Sequence, residues 1–389
     1  MKYPAHTAPR LRVARLVAAP SVVSPARGKG LRTRGKIRTL TVALGQNRST
    51  SSPEILPTHT AALFKLAVAR AVDLLRAGGV VALPTETVYG LAANALDARA
   101  VHRIFEIKGR PANNPVIVHV ASLDMARRCA AHWPPAADAL ASAFWPGPLT
   151  LVLPRAKDIP EAVTAGGPTV GIRWPAHPFI QAVIRECGFP LAAPSANLSN
   201  GVSPTNAAHV SGSLGARIPL IVDGGQSQVG IESTVLDLTA SPPRILRPGM
   251  IHAASLQAAL PDSAPHIIES GARDDAGPLR SPGRLPKHYS PRAKLLILAW
   301  SDDRDLRLKL KKLKVNFEGA HFIAHSTIPT GMEPARVSVI PHDAEAFARA
   351  IYAELHRCDD AGAGCIVVEA LPDTLAWRAI ADRLQRAAS

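Results

Sequence analysis

Cysteine is scarce in this 389-residue chain: Cys129, Cys187, Cys358 and Cys365 stand far apart, with no C-x-x-C pair. That usage suits a reducing compartment and argues against a structural zinc site. No apolar run reaches the roughly 18 residues that a transmembrane helix needs, so no membrane partner is expected. Aromatic residues make up only 4% and are not interleaved with cations as base-stacking surfaces require. The motifs G-x-S-x-G, H-E-x-x-H and G-x-G-x-x-G are missing, which leaves serine-hydrolase, zinc-enzyme and dinucleotide readings without support.

Acidic residues are absent from positions 1–53, which hold 11 Lys/Arg. The remainder carries 34 basic and 30 acidic residues, so the formal net charge of +15 belongs mainly to the tail. The tail has the Arg-rich, Ser-containing, acid-poor composition of an organelle transit peptide, but its lack of pattern reads better as a disordered extension of a cytoplasmic protein. A cationic tail allows weak contact with RNA. "GLRTRGKI" misses a P-loop, because Ile37 stands where a hydroxyl must reach the metal.

Four regions follow from composition and periodicity: a basic tail (1–60), a first globular unit (61–251), a Pro/Gly-rich linker (252–292) and a second unit (293–389). In the first unit "VVALPT", "VIVHV", "LTLVLP", "TVGIRWP", "PLAAPSA", "IPLIVDGG" and "STVLDL" read as strands among fewer helices, which predicts a twisted mixed α/β sheet. In the second, "KLLILAW", "AHFIAH", "RVSVI" and "CIVVEA" alternate with helical patterns, which predicts a smaller doubly wound parallel α/β domain.

The stretch "FEIKGRPANNPVIVHV" (105–120) sets two cations around one glycine. Asp97 is placed to cap a helix over about Ala98–Ile107, with Val101, Ile104 and Phe105 on one face. Gly109 suits the left-handed position beyond its end. Lys108 and Arg110 then occupy a fixed corner, and neither is expected in the core. Similar small polar loops follow other strands: "PTETVYGLAANA", "APSANLSNGVSPT" and "GIESTVLDL", with "RILRPGM" adding Arg247. Hydroxyls, amides and backbone N–H groups beside Lys and Arg are what a polyphosphate requires.

Taken in order, "GGVVALPTETVYGLAANA", "KGRPANNPVIVHV", "FWPGPLTLVL", "APSANLSNGVSPT", "GIESTVLDL" and "ILRPGMI" resemble the YrdC-like threonylcarbamoyl-AMP synthase family across roughly Ala62–Met250. The remainder resembles the two-domain form of that synthase, although its linker motif "SPGRLPKHYSP" has Arg284 where methionine is usual. The resemblance implies a nucleotidyltransferase that converts L-threonine, bicarbonate and ATP to threonylcarbamoyl-AMP, pyrophosphate and water. It also implies Mg²⁺ arriving with ATP rather than in a dedicated site. Partner proteins would then use the product to modify adenosine 37 of tRNAs reading ANN codons. By position, Arg110, Asn114, Thr150, Ser195, Ser203 and Arg247 would contact the nucleotide. Thr87, His119, Ser233 and the backbone near Ala193 would contact threonine, while Lys108 and Asn197 complete the polar cluster, Lys108 and Arg110 countering the triphosphate. Tyr289 would belong to a lid over the site. An RNA-binding module of the same fold, without synthase activity, is the alternative.

Overall fold

The computed structural model describes residues 52–269, 282, 288–331 and 333–389. The expected tail up to residue 51 and Gly283–Lys287 of the linker motif, Arg284 included, lie outside the described residues. The first unit contains β1 (Glu54–Pro57), β2 (Val81–Leu83), β3 (Gly90–Asn94), β4 (Val118–His119), β5 (Leu149–Pro154), β6 (Thr169–Arg173), β7 (Leu191–Ala192), β8 (Leu220–Asp223), β9 (Thr234–Asp237), β10 (Arg244–Arg247) and β11 (Ile268–Glu269). They form one mixed sheet in the order β1-β8-β2-β3-β7-β4-β6-β5-β9-β10-β11. β5 runs antiparallel to β6 and parallel to β9. Helices α1 (Ala61–Arg76), α2 (Ala98–Lys108), α3 (Leu123–Cys129), α4 (Pro135–Phe144), α5 (Glu161–Thr164), α6 (Pro178–Cys187), α7 (Ala207–Leu214) and α8 (Ala253–Ala258) accompany it.

Two expected boundaries move. Residues 54–57 belong to the sheet rather than the tail, because β1 pairs in parallel with β8. The linker region begins with structure: α8 precedes β11, which pairs in parallel with β10. Glu54 lies just past the acid-free stretch, and a four-residue edge strand carries too little periodicity to be read.

The second unit is a four-stranded, fully parallel sheet of β12 (Lys294–Leu298), β13 (Ala320–Ala324), β14 (Val337–Val339) and β15 (Cys365–Glu369), ordered β12-β15-β13-β14. Its helices are α9 (Asp303–Lys312), α10 (Ala344–Asp360) and α11 (Arg378–Ala388). Both units therefore have the expected α/β class.

The corner at 105–120 forms as its residues dictate. Asp97 Oδ1 accepts from Arg99 N at 2.9 Å, and Gly109 takes φ 59 at the end of α2. Val101 and Ile104 are fully buried, each contributing about 1.5–3 kcal/mol of apolar burial. The two units share one core: Val88, Val202 and Ile231 pack with Phe347, Ile351, Tyr352 and Leu355. Gly230 (φ 85) makes the approach possible, since a Cβ there would lie 2.3 Å from Ala348 O on α10.

Candidate active site

The loops that follow the strands converge on one open cleft. The β2–β3 loop supplies Thr85, Thr87 and Val88, β4 supplies His119, and β6 supplies Arg173. The segment after β7 adds Ala193 and Ser195, the turn before β9 adds Glu232 and Ser233, and β10 ends at Arg247. Arg110 enters from the corner after α2, while Pro282, His288 and Tyr289 complete the wall from the linker.

Arg110 is fixed along one edge. Its Nε donates to Asn114 O at 3.0 Å, and its Nη2 donates to Asn114 Oδ1 and Pro115 O, both at 2.6 Å. Burial pushes its pKa down to about 9, and Arg247 adds to the effect. Such a cation gains most from an anion entering the cleft. Arg247 is held by Ser233, with Nε to its backbone oxygen and Nη2 to its hydroxyl, each at 3.1 Å. Thr150 Oγ1 lies 2.8 Å behind the same hydroxyl.

A second braced group faces them. Arg173 Nη1 donates to Thr87 Oγ1 at 2.9 Å, Nε donates to Gly147 O at 3.2 Å, and Nη2 lies 2.6 Å from Glu86 Oε1. Burial alone would raise the Glu86 pKa, but Arg173 and the backbone N–H groups of Ala176 and Glu86 together outweigh it, and the carboxyl titrates below its usual range. Burial, reinforced by Arg173, presses His119 down to about 3, so its ring is neutral at physiological pH. Charged arginines thus lie beside neutral imidazole and hydroxyl groups, a set that can bind an anion and a zwitterion together.

The expected residues divide into two groups. Thr87, Arg110, His119, Ala193, Ser195, Ser233, Arg247 and Tyr289 line the cleft. Lys108, Asn114, Thr150, Asn197 and Ser203 stand behind its wall and tie its parts together. The expectation that Lys108 and Arg110 lie outside the core is corrected: they are 2% and 8% exposed. Lys108 Nζ donates to Ser195 O at 2.6 Å, Asn197 O at 2.5 Å and Asn197 Oδ1 at 3.4 Å. A flexible lysine at a helix end can turn outward or inward, and here three acceptors on a loop 87–89 residues away in sequence draw it in. Burial and Arg110 lower its pKa well below the usual lysine range, while those acceptors favour the charged form. Ser203 Oγ donates to Glu232 Oε1 at 2.6 Å, and Asn197 Nδ2 donates to Gly201 O at 2.7 Å.

Tyr289 is 1% exposed. It stacks on Tyr352 with ring centroids 5.9 Å apart and adopts φ 62. The strap around it is pinned on both sides, with His288 N donating to Arg386 O at 3.1 Å and Ser290 N to Asn200 O at 2.8 Å. Arg173 was missed by sequence reasoning; a lone arginine ending the otherwise apolar "TVGI" strand was its only signal. Among the described residues, no three His, Cys, Asp or Glu side chains converge on a metal position. The cleft carboxylate Glu232 and the neighbouring Glu86 are each paired with an arginine.

Residues 73–249 match the Sua5–YciO–YrdC family, described as telomere recombination, and residues 251–389 match the C-terminal domain of threonylcarbamoyl-AMP synthase. The threonylcarbamoyl-AMP synthase of Pyrococcus abyssi is 39% identical over 320 residues, spanning 82% of this chain and 92% of that one. That of Bacillus subtilis is 41% identical over 330 residues, with the same shares of 82% and 92%. The crystal structure of P. abyssi Sua5 complexed with L-threonine aligns with a TM-score of 0.76 at 35% identity, covering 86% of this chain and 97% of that one. With both domains matched in order and relatives of 39–41% identity covering most of the chain, this chain belongs to the threonylcarbamoyl-AMP synthase family in its two-domain form.

Proposed function

We propose that the cleft joins L-threonine, bicarbonate and ATP into threonylcarbamoyl-AMP. The observation that carries this reading is the convergence of Arg110 and Arg247, each fixed by neighbours, with neutral His119 and the hydroxyls of Thr87, Ser195 and Ser233 in one cleft. Threonine's amine and bicarbonate give a carbamate and water. A carbamate oxygen then attacks the α-phosphorus, and the bond to pyrophosphate breaks. The protein supplies no nucleophile for these steps. Its work is to hold two anions side by side and to stabilise the charge that develops as pyrophosphate leaves.

In this reading Arg110, Ser195 and Arg247 face the nucleotide, with Asn114, Thr150 and Ser203 bracing them. Thr87, His119, Ser233 and the Ala193 backbone face threonine. Lys108 and Asn197 hold the Ser195 loop rather than touching phosphate. A divalent ion such as Mg²⁺ would be carried by the phosphate oxygens, since the described residues of the cleft offer no carboxylate cage. Tyr289 and its strap cover the site and shield the mixed anhydride from water. The product would pass to partner proteins that modify adenosine 37 of tRNA in the cytoplasm.

Pyrophosphate release tests the proposal. It should require ATP, threonine and bicarbonate together. Equal release without threonine would mark a plain ATPase, and tight RNA binding with no turnover would favour an RNA-binding module.

A further inference from the structure

We propose that Arg383, on the last helix of the C-terminal domain, is a positioning residue for the synthase reaction that acts through Glu232. The inference rests on the synthase reading above. Arg383 is 1% exposed, and its Nε donates to Glu232 Oε2 at 2.8 Å. Tyr352 OH, also from the C-terminal domain, donates to the same oxygen at 3.1 Å. The other carboxylate oxygen receives the Ser203 hydroxyl at 2.6 Å. Glu232 itself borders the cleft and directly precedes Ser233.

The guanidinium grips the cleft wall at more than this point. Nη2 donates to Pro248 O at 2.9 Å, one residue beyond Arg247, and the group lies 5.2 Å from the Tyr289 ring centroid. Arg383 thus joins the Glu232–Ser233 turn, the Arg247–Pro248 segment and the strap. Asp382 holds Nη1 at 2.7 Å and fixes the side chain's direction.

The charge matters as well as the shape. Arg383 and Arg247 both act on Glu232 and, over the opposing effect of burial, hold its carboxyl at about 2. With Arg383 gone, Arg247 is the cation left to compensate a buried carboxylate. Glu232 would then compete with substrate phosphate for Arg247.

The test is threonylcarbamoyl-AMP formation by five full-length proteins: wild type, Arg383→Met, Arg383→Lys, Glu232→Gln and the double variant Arg383→Met with Glu232→Gln. Arg383→Met should lower kcat/KM for ATP about thirtyfold, as expected for losing charged hydrogen bonds. In the Glu232→Gln background the same change should cost less than about threefold, because the partner is already neutral. Arg383→Lys should retain more activity than Arg383→Met. Losses that multiply in the double variant, or an Arg383→Met protein with wild-type kinetics, would overturn the proposal. If circular dichroism shows that Arg383→Met does not fold, Tyr352→Phe takes its place in the cycle, with a few-fold loss expected only when Glu232 is present. A wild type that makes no product would overturn the synthase reading and this inference with it. An active wild type with an indifferent Arg383→Met would overturn this inference alone.

Discussion

Replacing Lys108 by methionine separates two roles for a cation beside the cleft. The ammonium donates to the main-chain oxygens of Ser195 and Asn197. Methionine fills similar space but leaves both buried carbonyls without that donor, at about 1–3 kcal/mol each. Removing an ammonium whose burial disfavours its charge returns part of this. The net loss should be about 2–4 kcal/mol, a large share of the 5–15 kcal/mol typical of a folded protein. Urea unfolding measures it through a lowered midpoint at unchanged slope. The rate of the folded fraction should also fall, because the loop carrying Ser195 is no longer held. Stability within about 0.5 kcal/mol of wild type, combined with a tenfold or greater fall in rate, would refute the strut. That pattern would mean Lys108 reaches the triphosphate directly.

Arg110→Ala, by contrast, should cost at least about tenfold in rate, or ~1.4 kcal/mol, by removing a charge-assisted phosphate contact; unaltered steady-state kinetics would contradict this. Glu232 titrates at about 2 against an ordinary 4.5, so its charged form stabilises the fold above the ordinary value, and that stability is lost as pH falls from 4.5 towards 2. Urea midpoints at about pH 5 and about pH 3 should therefore differ less for Glu232→Gln than for wild type, and an equal difference would argue against the pairing. A chain beginning at Pro53 should keep full synthase activity, whereas one that also lacks Glu54–Pro57 should be less stable because β8 loses one of its two parallel partners and becomes the sheet edge. Activity below a tenth of wild type in the first truncation would give the tail a catalytic part.

Much of the fold was legible because its signals are local. Asp97, Val101, Ile104 and Gly109 sit within thirteen positions and specify α2 and its end. The parallel C-terminal sheet announced itself through apolar runs alternating with helices. β1 and β11 were hidden, being short strands whose pairing is set by distant partners. The cleft-lining loops could be read from their small polar residues, but side-chain direction could not. Nothing at Lys108 shows that its ammonium turns away from the cleft, since its acceptors belong to another loop. Glu232 and Arg383 lie 151 positions apart in different domains, and no periodicity records such a pair. Altering Tyr289 should disturb the C-terminal domain as well as the cleft, since its ring belongs to the core that the two domains share. Cutting the chain at Pro282 would strip the cover from Val88, Val202 and Ile231.

Mass analysis of the product formed from ATP, L-threonine and ¹³C-bicarbonate bears most directly on the central claim. The account predicts threonylcarbamoyl-AMP carrying one heavy carbon, formed in step with pyrophosphate and missing when any substrate is withheld. Pyrophosphate or ADP released with no labelled adenylate, at the same rate with and without threonine, would contradict it.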